Sequence, residues 1–185
     1  MAAMTQITPD ITIISGTKNA GKTKFCLCLV EQLHKEAAKV SGLISPGLYE
    51  QGHKTGILVR DLSTGAEKQL AVFDPGWDPL VPQREWRFND EVVEWGNDCL
   101  KKATPTDILL IDELGFMELE QNRGWTAGME ALDKGLFTHA LAVIRPDLLK
   151  IARERWNPAY FLTITPSTDS EVFVNKLIAH WRESA

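Results

Sequence analysis

Residues 16–23 read Gly16-Thr17-Lys18-Asn19-Ala20-Gly21-Lys22-Thr23, and this octapeptide restricts what the chain can fold into more than any other stretch. It fits G-x-x-x-x-G-K-[ST] in full. Glycines let the backbone curl until successive N–H groups point at one spot, and a helix starting there adds its positive end. Lys22 then brings an ammonium to the β- and γ-phosphates of a nucleotide, and the Thr23 hydroxyl becomes a magnesium ligand. Chance alone places the four fixed positions together in about 1% of chains this long, so context decides. An apolar β-branched run, Ile11-Thr12-Ile13-Ile14-Ser15, precedes the loop. A helical pattern over Lys22 to Ala37 follows it, with Cys26, Leu29, Val30, Leu33 and Ala37 on one stripe. Strand, loop and helix in that order are what the motif requires. Residues 16 to 23 are therefore assigned to nucleotide binding, and the extra cation Lys18 either reaches a phosphate of a second subunit or is solvated.

The same alternation continues along the chain. Further strands are predicted at Val40 to Ile44, Ile108 to Asp112, Ala140 to Ile144 and Phe161 to Thr165. Helices are predicted at Asp90 to Ala103, Trp125 to Lys134 and Pro146 to Trp156, the last with proline in its first turn, where it is tolerated. A final helix opens on a capping-box pattern, Thr168-x-x-Glu171, with Phe173, Val174, Leu177, Ile178 and Trp181 as its stripe. Gly56 to Leu62 and Glu67 to Phe73 read as a hairpin around Ser63-Thr64-Gly65. Asp74 to Arg87, broken by Pro75, Gly76, Pro79 and Pro82, reads as a long loop. The expected fold is α/β: a P-loop NTPase fold with a mostly parallel sheet, helices on both faces and an added β-hairpin. Its 185 residues suit one domain spanning 1–185.

Ligands of such sheets lie at the carboxyl ends of the strands. Ile108-Leu109-Leu110-Ile111 is wholly apolar and ends in Asp112-Glu113. Asp112 is placed to hold magnesium beside Thr23, and Glu113 to orient and polarise the water that attacks the γ-phosphate. Glu118, five residues on, either approaches the metal or braces a loop. Arg145, just past the strand ending at Ile144, is a candidate for neutralising transition-state charge, with Arg153 and Arg155 as rivals.

Other residue classes carry less. Cys26, Cys28 and Cys99 fall on or beside apolar helical stripes and read as small core residues. An odd number of cysteines without disulfide spacing suits a reducing compartment. His34, His53, His139 and His180 are scattered, so no transition-metal site is indicated. Lys and Arg number 20 against 25 Asp and Glu, a net charge of -5. A chain on the acidic side of neutral is poorly placed to track a phosphate backbone, so no nucleic-acid partner is expected. Met1 to Asp10 lacks the basic and apolar regions of a signal peptide, and no apolar run approaches a membrane span. The expected location is cytoplasmic. Trp77 and Trp86 read as loop anchors or as platforms for a base.

Three blocks together resemble a family: the small nucleoside-triphosphatases known from thermophiles and, in animals, as cancer-related nucleoside-triphosphatase. One is the phosphate loop. Another is Gly42 through Leu62, with Glu50-x-Gly52-x-Lys54-x-Gly56-Ile57 and Asp61-Leu62. The most specific is Ile111-Asp112-Glu113-Leu114-Gly115-Phe116-Met117-Glu118-Leu119. The resemblance implies a compact α/β fold, slow magnesium-dependent hydrolysis of several nucleoside triphosphates, and Glu113 as the water-activating residue. The chain departs from the pattern at Thr17-Lys18-Asn19-Ala20, where the family is rich in Gly and Pro, and at Phe116, where it is often basic. Beyond residue 140 little matches. Two other functions use the same loop: a nucleotide or small-molecule kinase, and a nucleotide-dependent adaptor like that of molybdopterin-guanine dinucleotide synthesis. The adaptor does not account for Asp112-Glu113-Leu-Gly-x-Met-Glu, and a Ras-like GTPase lacks support because no [NT]-K-x-D motif exists.

Overall fold

The computed structural model describes residues 10–75 and 85–184. Trp77, most of the predicted loop 74–87 and residues 1–9 therefore lie outside the described residues. Among the described residues nine strands form one sheet: β1 (Asp10–Ser15), β2 (Val40–Ile44), β3 (Gly47–Glu50), β4 (His53–Asp61), β5 (Glu67–Phe73), β6 (Trp86–Phe88), β7 (Thr106–Leu114), β8 (Phe137–Ile144) and β9 (Tyr160–Thr163). The helices are α1 (Lys22–Lys35), α2 (Asp90–Lys102), α3 (Phe116–Leu119), α4 (Thr126–Lys134), α5 (Leu149–Trp156) and α6 (Ser170–Ser184). No helix among the described residues is long and apolar enough to cross a membrane.

The sheet order is β6-β5-β4-β2-β7-β8-β1-β9, with β3 paired to β4 beside β2. Strands β2, β7, β8, β1 and β9 run parallel. The remaining four form an antiparallel wing. Alternation along the parallel strands divides the core between the two faces of the sheet. Leu109 and Ile111 of β7 pack with Leu100, Met129 and Leu132 on the side of α2 and α4. Ile108 and Leu110, pointing the other way, pack with Phe25, Leu29, Leu177 and Trp181 on the side of α1 and α6. Strands covered on both faces need apolar side chains at every position, which is why β7 reads as a continuous hydrophobic run.

The mostly parallel sheet and its helices match the expected fold, and the differences are local. The hairpin is larger than predicted: β3 and β6 extend it into the wing, β6 overlapping the end of the segment read as loop. Three-residue and four-residue strands on an edge carry too little periodicity to be seen in sequence. Helix α1 ends at Lys35, and Ala37 lies beyond it, exposed and at φ 56. The helix predicted from Pro146 begins as a 3-10 turn over Pro146–Leu148. At α6 the cap is Asp169, whose Oδ1 accepts from the N–H groups of Glu171 and Val172 at 3.1 and 3.2 Å. Thr168 Oγ1 instead accepts from Thr165 N at 2.9 Å, so the capping box expected at Thr168 does not form. The β4–β5 turn forms around the predicted Ser63-Thr64-Gly65. Buried Asp61 organises it by accepting from Ser63 N (3.0 Å) and Thr64 Oγ1 (2.7 Å).

Gly96 on α2 faces Trp125 so closely that a Cβ would collide with the indole ring and touch Leu43 Cδ1 at 3.1 Å. Trp125 is itself buried, so the ring has nowhere to go. Gly96→Ala is therefore expected to lose about 1–3 kcal/mol of stability through overpacking, although alanine is the better helix former. Urea unfolding checks this: an unchanged midpoint would mean that α2 slides freely over Trp125.

Candidate active site

Strand β1 delivers the chain into the loop of residues 16–23, and α1 carries it away. Gly16 lies against β9's continuation, where a Cβ would meet the carbonyl oxygen of Ile164. Gly21 and Asn19 take left-handed conformations, φ 97 and 64, which fold the loop back on itself. Gly21 is also the N-cap of α1, has no side chain to cap the helix, and no acidic residue follows in the first turn. The first-turn N–H donors of α1 thus meet neither a capping side chain nor a local carboxylate, an arrangement suited to an anion.

Lys22 is largely buried, and its Nζ donates to the carbonyls of Gly16 (2.9 Å) and Thr17 (3.1 Å). The same ammonium lies 3.7 Å from Glu113 Oε2 at the end of β7. Asp112 beside it is only 2% exposed. The Thr23 hydroxyl lies near its carboxylate and lowers its pKa. Ser45 N lies 3.4 Å from its Oδ2, and the Ser45 hydroxyl donates to the Asp112 carbonyl at 2.7 Å. Burial pushes the Asp112 carboxyl up to about 6, the Thr23 hydroxyl and the Lys22 charge opposing and the Glu113 charge adding to it. The Asp112–Glu113 peptide is cis.

The chain thus brings together the residues singled out from the sequence: Lys22 and Thr23 from one strand end, Asp112 and Glu113 from another, with β8 running between those two strands. Thr23 and Asp112 are hard oxygen donors on adjacent elements, and Asp112 is an under-compensated buried carboxylate. That pair fits a magnesium ion, which accepts one or two protein ligands and completes its shell with water and phosphate. Among the described residues no group of three or more His, Cys, Asp or Glu gathers as a metal cluster, so phosphate oxygens would have to share in holding the ion.

The secondary candidates separate clearly. Lys18 is exposed and makes a loose 3.7 Å pair with Glu85. Arg145 lies at the site's rim, its guanidinium paired with Asp147 at 3.1 Å. Arg155 is tied to Asp133 at 2.6 Å and Arg153 stacks over Phe161, so neither approaches the loop. Trp86 packs edge-on against Phe73 and receives the Lys54 ammonium on its face, which makes it an anchor of the wing. The cysteines are free, Cys26 in the core beneath the loop. Ser45 and Lys54 also belong to the site and were not singled out in the sequence. Ser45 follows a parallel strand's carboxyl end, a signal that was legible. Lys54 arrives on β4, half-buried near Asp112 and Glu113, and only the fold of the wing brings it there. Burial lowers its pKa, while the two carboxylates raise it.

Comparison with known proteins follows the same stretch of chain. The NTPase family profile matches residues 11–167. A nucleoside-triphosphatase THEP1 of Methanopyrus kandleri is 27% identical over 135 residues, 73% of this chain and 72% of that protein. The same-named protein of Thermofilum pendens is 30% identical over 121 residues, 65% of this chain and 66% of its own length. The match to these relatives thus spans roughly two thirds of each, 72% and 66%. The solution structure of a human cancer-related nucleoside triphosphatase shares the fold, with a TM-score of 0.69 at 18% identity over 95% of this chain and 99% of that one.

Glu118 resolves in favour of bracing. Its Oε2 accepts from Gly115 N at 2.8 Å and its Oε1 from Trp125 N at 3.0 Å, so one carboxylate clips the turn after β7 to the start of α4. Burial raises its pKa, and the backbone N–H bonds oppose that rise. Gly124 is packed on it so tightly that a Cβ would strike Oε1. Glu118→Ala leaves both N–H groups without acceptors and is expected to cost about 1–3 kcal/mol. An unfolding free energy within error of the parent's would show that water replaces the clip.

Proposed function

The chain belongs to the NTPase family and so stands among the nucleoside-triphosphatases, and we propose that as a single domain it hydrolyses the γ-phosphate of ATP- or GTP-type nucleotides with magnesium. The observation that carries the mechanism is the convergence at one point of Lys22 Nζ, Glu113 Oε2 at 3.7 Å, and the buried Asp112 beside Thr23. These are a cation for the phosphates, a carboxylate facing the reacting centre, and a hard-oxygen pair for the metal.

The loop N–H groups of residues 16–23 and the first turn of α1 hold the triphosphate tail, and Lys22 turns its ammonium from the loop carbonyls to the β- and γ-oxygens. Thr23 and Asp112 would hold magnesium, which would supply positive charge against that developing on the β- and γ-oxygens. Glu113 is about one-third exposed and so reaches both solvent and the site. It orients a water molecule and takes its proton as the water oxygen bonds to the γ-phosphorus. The bond to the bridging oxygen breaks, and the diphosphate leaves with the electron pair. Asp112 is the less accessible of the two: burial raises its basicity, but at 2% exposure it has little room for an attacking water, and its carboxylate faces Thr23 and Ser45. Arg145 at the rim is the nearer of the three arginines for neutralising transition-state charge, once it leaves Asp147. Free thiols at Cys26, Cys28 and Cys99 support a reducing, cytoplasmic setting.

Single-turnover phosphate release, with nucleotide affinity measured alongside, tests the assignment. Glu113→Gln is expected to bind triphosphate as the parent does and to turn over about 10²- to 10⁴-fold more slowly, the span for loss of a general base. Equal rates would reduce Glu113 to a strand cap. Release should also stop in excess chelator and return with magnesium, since Thr23 and Asp112 have no other charge to place on the phosphates. Full activity in chelator would remove the metal from the scheme.

A further inference from the structure

Beyond the carboxylates the site continues into a cavity of about 350 Å³ that a hydrolase does not need. A water molecule takes up about 30 Å³ of liquid, whereas pockets for small organic ligands begin at about 300 Å³. The cavity is lined by Thr23, Asp112 and Glu113 together with residues of the parallel strands' ends and of the antiparallel wing. Its apolar lining comes from Ile57 of β4, Leu70 of β5, Phe88 of β6, Val93 of α2 and Trp125 before α4, with Phe116 beside them. Phe88 and Phe116 are 42% and 47% exposed, two of only seven large hydrophobic residues so exposed among the described residues. Both border this cavity, where a flat ring would cover them.

We propose that the cavity receives a nucleoside, and that the terminal phosphoryl group passes to its 5′-hydroxyl as well as to water. This rests on the phosphate-site reading above. The heterocycle lies among the apolar and aromatic walls, and the primary alcohol points to Glu113. The step balances as hydrolysis does. The hydroxyl oxygen bonds to the γ-phosphorus, its proton goes to Glu113, the bond to the bridging oxygen breaks, and a nucleoside diphosphate leaves with the electron pair. The products are a nucleoside monophosphate and a nucleoside diphosphate. An uncharged acceptor suits the charges present. With magnesium on Asp112, Glu113 and Glu118 still line the cavity beside the charge of the bound triphosphate, against Lys54 and Arg145, which Asp147 already holds. A second phosphate entering there would meet more negative charge than positive. Lys54 and Arg145 serve the group in transit instead.

The test uses the full chain, magnesium and ATP labelled in its γ-phosphate. One arm has no acceptor, and the others each contain a common ribo- or deoxyribonucleoside at millimolar concentration. Label is expected on the 5′-oxygen of at least one nucleoside, with release of inorganic phosphate falling in step. Val93→Phe, which puts a ring into the cavity, should lower that transfer by about 10- to 200-fold, the span for a misfit in an apolar pocket; circular dichroism verifies that the variant is folded. Label found only in inorganic phosphate with every nucleoside overturns the proposal, as does inhibition of release without transfer, which would make the nucleoside a blocker. Those results leave hydrolysis in the acceptor-free arm intact. Silence in that arm and in all the others would overturn the phosphate-site reading together with this one.

Discussion

The Asp112 carboxylate sits at 2% exposure at the end of a strand covered on both faces, and its surroundings are arranged around the cost of keeping it there. An ionised group out of water needs compensating partners, or its pKa moves toward neutrality. The Thr23 hydroxyl lies near it at the start of α1, Ser45 N approaches from the end of β2, and Lys22 contributes charge at a distance. These partners lower the carboxyl's pKa but do not cancel the rise from burial. A divalent cation at the same oxygens would supply the missing charge, so the unfavourable burial fits the magnesium site proposed above.

That arrangement requires three parallel strand ends in register. Glycine 42 on β2, at φ 114, approaches Leu110 of β7 so closely that any side chain would strike its carbonyl oxygen. The close approach seats β2 against β7 and brings Ser45 beside Asp112. On the other side, β8 separates β7 from β1, so the loop must reach across the end of β8 for Lys22 to meet Glu113. Arg145 leaves β8 at that crossing. The helices serve mainly to hold the strands in this order, with α1 and α6 on one face and α2 and α4 on the other.

The antiparallel wing adds the second component. It brings Lys54, Ile57, Leu70 and Phe88 over the carboxylates and turns a shallow phosphate cradle into a cradle with an apolar chamber behind it. Glu118 sets the opposite wall by clipping Gly115 to Trp125. Gly96 gives Trp125 the room to lie flat against α2. A change in any of these would alter the chamber while leaving the phosphate loop as it is.

Much of this was legible in the residues themselves. A phosphate loop is a local object: its glycines, lysine and threonine act through a backbone that a single strand–loop–helix unit forms. An apolar run closing in Asp112-Glu113 is likewise local, and the carboxyl-end rule for parallel sheets links the two without any coordinates. Periodicity also located α1, α2, α4 and the five parallel strands, because long elements repeat their pattern often enough to be read. The sequence could not show which polar group caps α6, since Thr168 and Asp169 both suit that role and only the turn at Thr165 decides between them. Nor could it sort Arg145 from Arg153 and Arg155, or tell a bracing Glu118 from a metal-binding one. Those choices depend on which partner lies within hydrogen-bond reach, and that is set by contacts between residues far apart in the chain. Lys54 and the chamber belong to the same class: six stretches distant in sequence meet there, and no local pattern encodes their meeting.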